Sequence, residues 1–352
     1  MKILIFTMAY NAEKTISRAL DSVLNQTFSN LEYFVLDNGS TDRTWEIIQE
    51  YATRDRRIFP LSIDKNNPAH GGMMFCALPY ASDADYFVWL DADDAYFPDF
   101  LEKTIPFAEE HHLDIVAGGY DMIDGVTGSL LKHRTAPGDI ILEGKDFADR
   151  FIDYRGFTMF IWGKLYSVAF LKRTLRKQAW KGLYCMYSDS MGTQALFRAA
   201  DRAGIYHESV YQYYQYSNSL SRADLRDNIK SFPLYFLSAK QYLEHYGPIS
   251  KLNEDFLYAI YLSLVDETVE RIFPSATSAV EKLELLRLLF QQPLWAETLA
   301  RDADPQFRNL AARGEFVRQM TERVMALAAS QEERSLAEAV VREIDKLPKK
   351  LQ

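Results

Sequence analysis

Tyr86-Phe87-Val88-Trp89-Leu90-Asp91-Ala92-Asp93-Asp94 is the stretch of sequence that decides the fold. Its first five residues are all apolar, which predicts a strand covered on both faces, as in the parallel sheets of α/β proteins. Three carboxylates then follow within four residues. Because ligands of such sheets bind outside the carboxyl ends of the strands, the stretch predicts a central strand that delivers an acidic cluster to a binding site.

Strands and helices alternate on both sides of this stretch. Short continuous apolar runs, typical of buried strands, alternate with segments whose apolar residues repeat every three to four positions. This alternation predicts an α/β fold with a mostly parallel, Rossmann-like sheet flanked by helices. The predicted strands are 3–8, 31–36, 58–63, 86–90 and 114–118, and the predicted helices include 15–25 and 98–112.

The glycines divide the chain into two parts. Of the 16 glycines, only Gly247 and Gly314 lie beyond residue 204. Glycine supplies turns, so a segment that is poor in glycine and rich in Leu, Ala, Glu and Arg predicts helices with few tight turns. We therefore expect an α/β domain over residues 1–222 and an all-helical domain over residues 223–352.

Composition disfavours several classes of protein. The 40 basic and 49 acidic residues give a net charge of −9, which argues against a nucleic-acid partner. No apolar stretch reaches the length of about 18 residues that a membrane span needs, and the N-terminal apolar run is too short for a signal peptide. Two cysteines cannot form a disulfide framework. We expect a cytoplasmic protein, either free or peripheral at the inner membrane face.

Polar residues collect at the ends of four predicted strands. Tyr10-Asn11, Asp37-Asn38 and the loop 64–72 follow the first three strands, and Asp91–Asp94 follow the fourth. At about 5 Å and an effective dielectric constant of about 20, each ionised pair of carboxylates costs on the order of 3 kcal/mol. A divalent cation removes this repulsion, and ligands that are all oxygen favour Mg²⁺ or Mn²⁺. We expect Asp91, Asp93 and Asp94 to share such an ion with substrate phosphates.

Other α/β enzyme classes lack their motifs in this chain. No Gly-x-Gly-x-x-Gly follows the first strand, and neither a P-loop nor a Gly-x-Ser-x-Gly elbow is found. An apolar strand that ends in Asp-x-Asp also fits phosphotransferases of the haloacid dehalogenase type. That class expects the motif on an early strand with Thr or Val at the position of Ala95, so it is the weaker alternative.

The chain resembles the family 2 glycosyltransferases, which have the GT-A fold. Each matching motif is weak by itself, but together, in this order and spacing, the motifs are specific. The resemblance covers about residues 1–222 and is strongest over residues 1–100. The matching motifs are Met8–Asn11, Ala19–Thr27, Val35–Asp42, Leu90–Asp94, Trp162–Tyr166, Ser188-Asp189 and Tyr211–Ser221.

The resemblance implies an inverting, metal-dependent transferase. Its donor would be a nucleoside-diphosphate sugar, with UDP favoured, and its acceptor a glycan, a lipid-linked molecule or a protein, as in bacterial surface-glycan or glycoconjugate synthesis. Tyr10 would stack on the nucleobase, Asp37 would accept the ring N–H of the base, and Asp189 would be the catalytic base. Asp93 would bind Mn²⁺ or Mg²⁺, with Asp91 at the metal or the ribose and Asp94 as an alternative ligand. The other implied residues are Thr7, Asn11, Asn67, Gly71 and Ala92 for the nucleotide, and Trp162, Lys164 and Tyr214 for the acceptor.

Two departures from the family pattern leave alternatives open. The loop 66–75 lacks the arginine that the family often has, and Ser188 replaces the usual Glu before Asp189. A non-catalytic module that binds nucleotide sugar and scaffolds an assembly therefore stays an alternative. The tyrosines of 206–216 fit an acceptor wall and a core strand equally well. The helical region 223–352 fits a role in acceptor access or in homo-oligomerisation.

Overall fold

The computed structural model describes residues 1–67, 78–81, 83–175, 188–216, 225–302 and 304–346. Within these ranges the chain forms two compact units, one made of residues up to 216 and the other of residues 225–346. The domain boundary predicted at residue 222 lies outside the described residues.

The first unit combines one sheet with flanking helices. Its strands are β1 (Ile3–Ala9), β2 (Leu31–Asp37), β3 (Ile58–Ser62), β4 (Tyr86–Trp89), β5 (Ala95–Tyr96), β6 (Ile115–Asp124), β7 (Leu130–Arg134), β8 (Ile140–Glu143), β9 (Lys164–Ser167) and β10 (Arg202–Gln215). Its helices are α1 (Ile16–Leu24), α2 (Thr44–Arg54), α3 (Phe100–Glu110), α4 (Asp146–Asp149), α5 (Phe151–Tyr154), α6 (Val168–Leu175) and α7 (Ser188–Ala199).

The sheet is mixed, with the strand order β3-β2-β1-β4-β9-β6-β10-β5. The four strands β3, β2, β1 and β4 pair in parallel, as the alternation of strands and helices predicts. β6 and β10 are also parallel, whereas β5, β7, β8 and β9 are joined by antiparallel pairing. The predicted α/β fold with flanking helices is confirmed, and the carboxyl ends of β1, β2 and β4 lie at one edge of the sheet.

Because β4 is buried in the sheet, the acidic turn that follows it, Asp91–Asp94, lies at that edge. All four residues of β4 are buried, and the strand lies between β1 and β9. Helix α1 packs the face formed by Ile16, Ala19, Leu20 and Val23 into the protein, the same residues whose spacing predicts the helix. A strand covered on both faces cannot shift its register without exposing apolar side chains, so the position of Asp91 at its end is well determined.

The second unit is entirely helical over its described residues. Its helices are α8 (Leu225–Glu244), α9 (Lys251–Ile272), α10 (Ala279–Phe290), α11 (Pro293–Ala300), α12 (Arg308–Ala311), α13 (Arg313–Ala326) and α14 (Gln331–Ile344). Serine hydroxyls at Ser250, Ser278 and Ser330 cap the N-termini of α9, α10 and α14. A core that includes Leu286 and Trp295 holds the helices together. The predicted helical C-terminal region is confirmed.

Over the described ranges, no helix is long and apolar enough to cross a membrane.

Candidate active site

The acidic turn after β4 divides its carboxylates between two tasks. Asp94 is only 1% exposed. One of its carboxylate oxygens accepts a hydrogen bond from the hydroxyl of Tyr211 at 2.8 Å, and the other accepts one from the backbone N–H of Tyr214 at 2.7 Å. Asp91 and Asp93 are partly exposed. Asp94 thus joins the turn to β10, whereas Asp91 and Asp93 stay accessible to a ligand.

Desolvation raises the pKa of each of these carboxyls. For Asp91 the pKa rises to about 7, because the negative charges of Asp93 and Asp189 add to the effect of burial. A hydrogen bond from the indole N–H of Trp89 at 2.7 Å favours the ionised form of Asp91. The pKa of Asp93 is raised by burial, and that of Asp94 lies well above its ordinary value for the same reason. A cation beside Asp91 and Asp93 would relieve this repulsion.

Asp91 and Asp93 fit a divalent cation as a pair. Across the described ranges, no group of three or more His, Cys, Asp or Glu side chains is placed to hold a metal ion. Asp94, predicted as an alternative ligand, turns into the protein and accepts hydrogen bonds from the Tyr211 hydroxyl and the Tyr214 N–H, so Asp91 and Asp93 are the two carboxylates of the turn that stay accessible. Two carboxylates, completed by substrate phosphates and water, match the way in which proteins hold Mg²⁺ or Mn²⁺.

The ends of β1 and β2 form the next part of the site. Tyr10 is 47% exposed, so its ring is accessible for stacking. Asn11 has a φ of 49° and joins two loops, because its N–H donates to Ser40 Oγ at 2.9 Å and its side-chain oxygen accepts from the Thr41 N–H at 2.8 Å. Asp37 is buried and accepts a hydrogen bond from the Ser40 N–H at 3.3 Å. Asn11 therefore shapes the loops around Tyr10 and Asp37.

Asn38, which the sequence analysis did not assign to the nucleotide, holds the loop after β3. Its Nδ2 donates to Asn66 Oδ1 at 3.1 Å, and its Oδ1 accepts from the Asn67 N–H at 3.2 Å. Gly39 has a φ of +73°, and a Cβ atom there would lie 2.5 Å from the Asn66 nitrogen, so only glycine fits. The predicted residue Asn67 is thus held at the end of β2, while Gly71 lies outside the described residues.

Thr7 belongs to the core, in contrast to its predicted contact with the nucleotide. The residue is fully buried. Its hydroxyl donates to the Leu90 carbonyl oxygen and pairs with the Tyr33 hydroxyl, both at 2.8 Å. Thr7 therefore fastens β1 to β2 and to the residue that follows β4. Ala92 is partly buried between the two accessible aspartates.

Asp189 and Lys164 extend the site beyond the acidic turn. Asp189 lies in the first turn of α7 and reaches solvent, but the protein around its carboxyl desolvates it and raises its pKa to about 6. The positive charge of Lys164 opposes this rise. Burial lowers the pKa of Lys164 to about 7, and its ammonium donates to the carbonyl oxygens of Phe160 and Trp162. Because the charge of Asp189 also acts on Asp91, these groups form one electrostatic site.

The aromatic residues predicted on the acceptor side lie mostly inside the protein. Trp162 is 5% exposed, and its ring stacks between those of Phe160 and Tyr211 with centroid distances of 4.3 Å on both sides. Lys164 is 2% exposed. Stacking and burial therefore make Trp162 and Lys164 supports of the predicted acceptor side, whose assignment stays a prediction. Tyr211 lies in the core, whereas Tyr214 is partly exposed. Of the two interpretations of the β10 tyrosines, a core strand therefore fits Tyr211, and an acceptor wall stays open for Tyr214.

Arg18 lies against the acidic turn and was not predicted. Its Nη1 donates to the Asp93 carbonyl oxygen at 2.9 Å, its Nη2 donates to the Tyr216 hydroxyl at 2.9 Å, and its Cζ lies 3.6 Å from the centroid of the Tyr214 ring. The charge of Arg18 also opposes the rise in the pKa of Asp93. Nothing in the pattern of α1 distinguishes this arginine from an ordinary polar residue between buried positions.

Known proteins share this architecture and parts of this sequence. The family model for glycosyl transferase family 2 matches residues 4–183, about half of the chain, and ends before Asp189. The chain is 26% identical to the glycosyltransferase GlyA of Streptococcus pneumoniae over 227 residues, which cover 63% of this chain and 32% of GlyA. The chain spans about a third to just over half of the length of the first curated relatives that it matches.

A second relative carries a more specific name. The chain is 37% identical over 107 residues to WfaP of Escherichia coli, a UDP-Glc:alpha-D-GlcNAc-diphosphoundecaprenol beta-1,3-glucosyltransferase. This match covers 30% of the present chain and 40% of WfaP.

The fold also has a solved counterpart. Residues 1–349 of TarS from S. aureus, in complex with UDP-GlcNAc, match with a TM-score of 0.53 and 19% identity, covering 98% of this chain and 89% of that one. At this identity the likeness shows a common GT-A-like fold. Because the family model covers half of the chain and the fold agrees with it, the chain belongs to glycosyl transferase family 2.

Proposed function

We propose that this enzyme transfers a sugar with inversion from a UDP-sugar to an acceptor hydroxyl, with the help of a divalent cation. The observation that carries the proposal is the shared electrostatics of Asp91, Asp93 and Asp189. A pair of accessible carboxylates repel each other beside a third carboxyl with a pKa of about 6. The first two suit a cation that neutralises a diphosphate, and the third suits a general base near neutral pH.

The donor would bind at the ends of β1, β2 and β4. The exposed Tyr10 ring offers a stacking surface for the base, and the buried Asp37 carboxylate offers an acceptor for its ring N–H. Asp91 and Asp93 would hold Mn²⁺ or Mg²⁺. When bound, the ion would neutralise the charge that develops on the leaving diphosphate. The solved complex of TarS with UDP-GlcNAc and the name of WfaP support a UDP-sugar as the donor class.

Asp189 would supply the base. Its ionised carboxylate takes the proton of the acceptor hydroxyl while that oxygen forms a bond to the anomeric carbon. The bond between the anomeric carbon and the diphosphate oxygen breaks at the same time, and the electron pair leaves with the diphosphate. A single displacement from the opposite face inverts the anomeric centre, so one positioned base is sufficient. Lys164 supports this step, because its charge keeps the pKa of Asp189 from rising further.

The acceptor is proposed only as a class. A glycan, a lipid-linked molecule or a protein can each present the hydroxyl, and the name of WfaP, which specifies a diphosphoundecaprenol acceptor, favours a lipid-linked one. The biological setting would be synthesis of a bacterial surface glycan. A nucleotide-sugar donor places the proposed reaction in the cytoplasm or at the inner face of the membrane.

The experiment that tests this proposal measures binding and transfer separately. Asp93→Ala is expected to abolish the dependence of UDP binding on Mn²⁺ in calorimetry and to abolish sugar transfer. Asp153→Ala, at an exposed position of the same unit, serves as the control and should behave like wild type. Transfer by Asp93→Ala at the wild-type rate would contradict the metal assignment. A wild-type protein that binds UDP-sugar but neither transfers nor hydrolyses it would favour the non-catalytic alternative.

The helical unit carries the remaining proposal, self-association. Leu234 and Leu237 on α8 are 45% and 47% exposed and lie three positions apart, so they share one face of the helix. An exposed apolar pair of this kind suits contact with a second copy. Light scattering that shows a monomer at all concentrations would contradict this proposal.

A further inference from the structure

Arg18 makes three contacts that converge on the acidic turn and on the end of β10. The guanidinium donates from one nitrogen to the Asp93 carbonyl oxygen and from another to the Tyr216 hydroxyl, each at 2.9 Å. Its plane also lies over the Tyr214 ring, with Cζ 3.6 Å from the ring centroid. Planar guanidinium groups form such fork-shaped and stacked contacts, which an ammonium cannot reproduce in full.

The partners of Arg18 on β10 are themselves held in place. The Tyr214 backbone N–H donates to the Asp94 carboxylate at 2.7 Å. The Tyr216 ring lies against Gly125, where a Cβ atom would approach the ring to 2.3 Å, and the Gly125 N–H donates to the Gln215 carbonyl oxygen at 2.9 Å. Arg18 therefore connects the turn to a firmly positioned strand end.

We propose that Arg18 is a positioning residue that, together with Asp94, holds the acidic turn to β10 and so sets the geometry of Asp91 and Asp93 toward the donor. Asp94 holds the turn through its carboxylate, and Arg18 holds the backbone carbonyl of Asp93. Arg18 thus holds the carbonyl group of the Asp93–Asp94 peptide, and the side chain of Asp94 holds the residue that follows this carbonyl. This inference rests on the proposed function, because it assigns Asp91 and Asp93 to the metal and the diphosphate.

A specific consequence concerns Tyr216. The residue directly follows β10, and its hydroxyl accepts a hydrogen bond from Arg18. Removal of this hydroxyl should weaken the hold on the turn and lower the affinity for metal and nucleotide. A role of Arg18 that is only structural would lower the melting temperature without changing affinity in the folded protein.

The test uses the full chain and titrates UDP in the presence of Mn²⁺ by calorimetry. Arg18→Met is expected to weaken metal-dependent UDP binding by about tenfold, the effect of losing one hydrogen bond to a charged group. Arg18→Lys, which keeps the charge, should restore part of the affinity, and Tyr216→Phe should lose about two- to threefold, as for a weaker single hydrogen bond. Arg54→Met is the matched control, because Arg54 also lies over a tyrosine ring, at 5.7 Å from Tyr51, on the exposed α2.

The outcomes separate this inference from the proposed function. If wild-type protein shows no Mn²⁺-dependent binding of UDP, the proposed donor is wrong. If wild type binds and Arg18→Met binds within twofold of it, the positioning role is overturned. Should Arg18→Met fail to fold, Arg18→Lys and Tyr216→Phe decide: reduced affinity in both supports the role, and wild-type affinity in both overturns it.

Discussion

Desolvated carboxyls in the two units of this protein experience opposite electrostatics. In the helical unit, the fully buried carboxylate of Asp255 accepts hydrogen bonds from Lys251 and from Arg301, and these partners lower its pKa despite burial. In the α/β unit, desolvation raises the pKa values of Asp91 and Asp189 to about 7 and about 6, and the charge of Lys164 opposes the rise at Asp189 only in part. A paired carboxyl stabilises the fold, whereas an unrelieved one is a mark of function.

The largest expected effect is the loss of transfer in Asp189→Asn. Without a base to accept the hydroxyl proton, the transfer rate should fall by about 10²–10⁴-fold, while the affinity for UDP stays unchanged. The free energy of unfolding should not decrease, because the variant no longer needs to desolvate a charge. A product assay combined with calorimetry and thermal unfolding measures all three. A fall in stability comparable to that of a core variant would contradict the functional assignment of this carboxyl.

Asp255→Ala, in contrast to Asp189→Asn, should lower the free energy of unfolding. Removal of this carboxylate leaves Lys251 with the Asp302 carbonyl oxygen and Arg301 with Glu254, but takes the acceptor from the Asp304 N–H, and should lower the free energy of unfolding by about 1–3 kcal/mol. Because the pKa of Asp255 is lowered, its stabilisation is present above about pH 4 and is lost as the pH falls through the folded-state pKa. Denaturant unfolding measures the change. Asp266→Ala, at an exposed position of the same helix α9, is the control and should stay within about 0.5 kcal/mol of wild type.

The pH dependence of transfer tests whether Asp189 acts in its ionised form and whether Lys164 influences its pKa. Asp189 must be ionised to act as a base, so at saturating Mn²⁺, which should keep Asp91 ionised, kcat/KM should rise about tenfold per pH unit below the Asp189 pKa of about 6 and level off above it. Lys164→Met removes a charge that lowers this pKa, so the midpoint of the profile should move to higher pH. Lys132→Met, at an exposed position, is the control. An unchanged midpoint in Lys164→Met would show that the two groups are not coupled.

The smallest expected effect belongs to Asp94→Asn. An asparagine keeps an oxygen acceptor at this position, and burial already favours the neutral form of Asp94, so stability should change by no more than about 1 kcal/mol. Asp94→Ala leaves the Tyr211 hydroxyl and the Tyr214 N–H without their partner, and should cost about 1–3 kcal/mol. Thermal unfolding of the two variants side by side tests this difference. Equal destabilisation by both would mean that the ionised carboxylate is what β10 requires.

The local sequence pattern was sufficient to predict the strands and helices that are defined by the spacing of neighbouring residues. The apolar run before Asp91 predicts the buried strand β4, and the predicted helix over 15–25 corresponds to α1. The short antiparallel strands β5, β7, β8 and β9 were not predicted, because two to five residues carry too little periodicity to be distinguished from loops. Their antiparallel pairing makes the sheet mixed, where the alternation of strands and helices predicts a mostly parallel one.

Tertiary structure alone decided how the residues of the candidate site divide their roles. In sequence, Asp91, Asp93 and Asp94 look alike, and only the approach of β10 turns Asp94 away from the ligand, through a contact 120 positions distant. Arg18 meets Tyr216 across 198 positions, and no spacing rule connects them. Sequence patterns report the periodicity of a single element, whereas the partner of a side chain is set by which elements the fold brings together. The chain's sequence therefore determined the strand that carries the acidic turn, and its packing determined which carboxylates that turn presents.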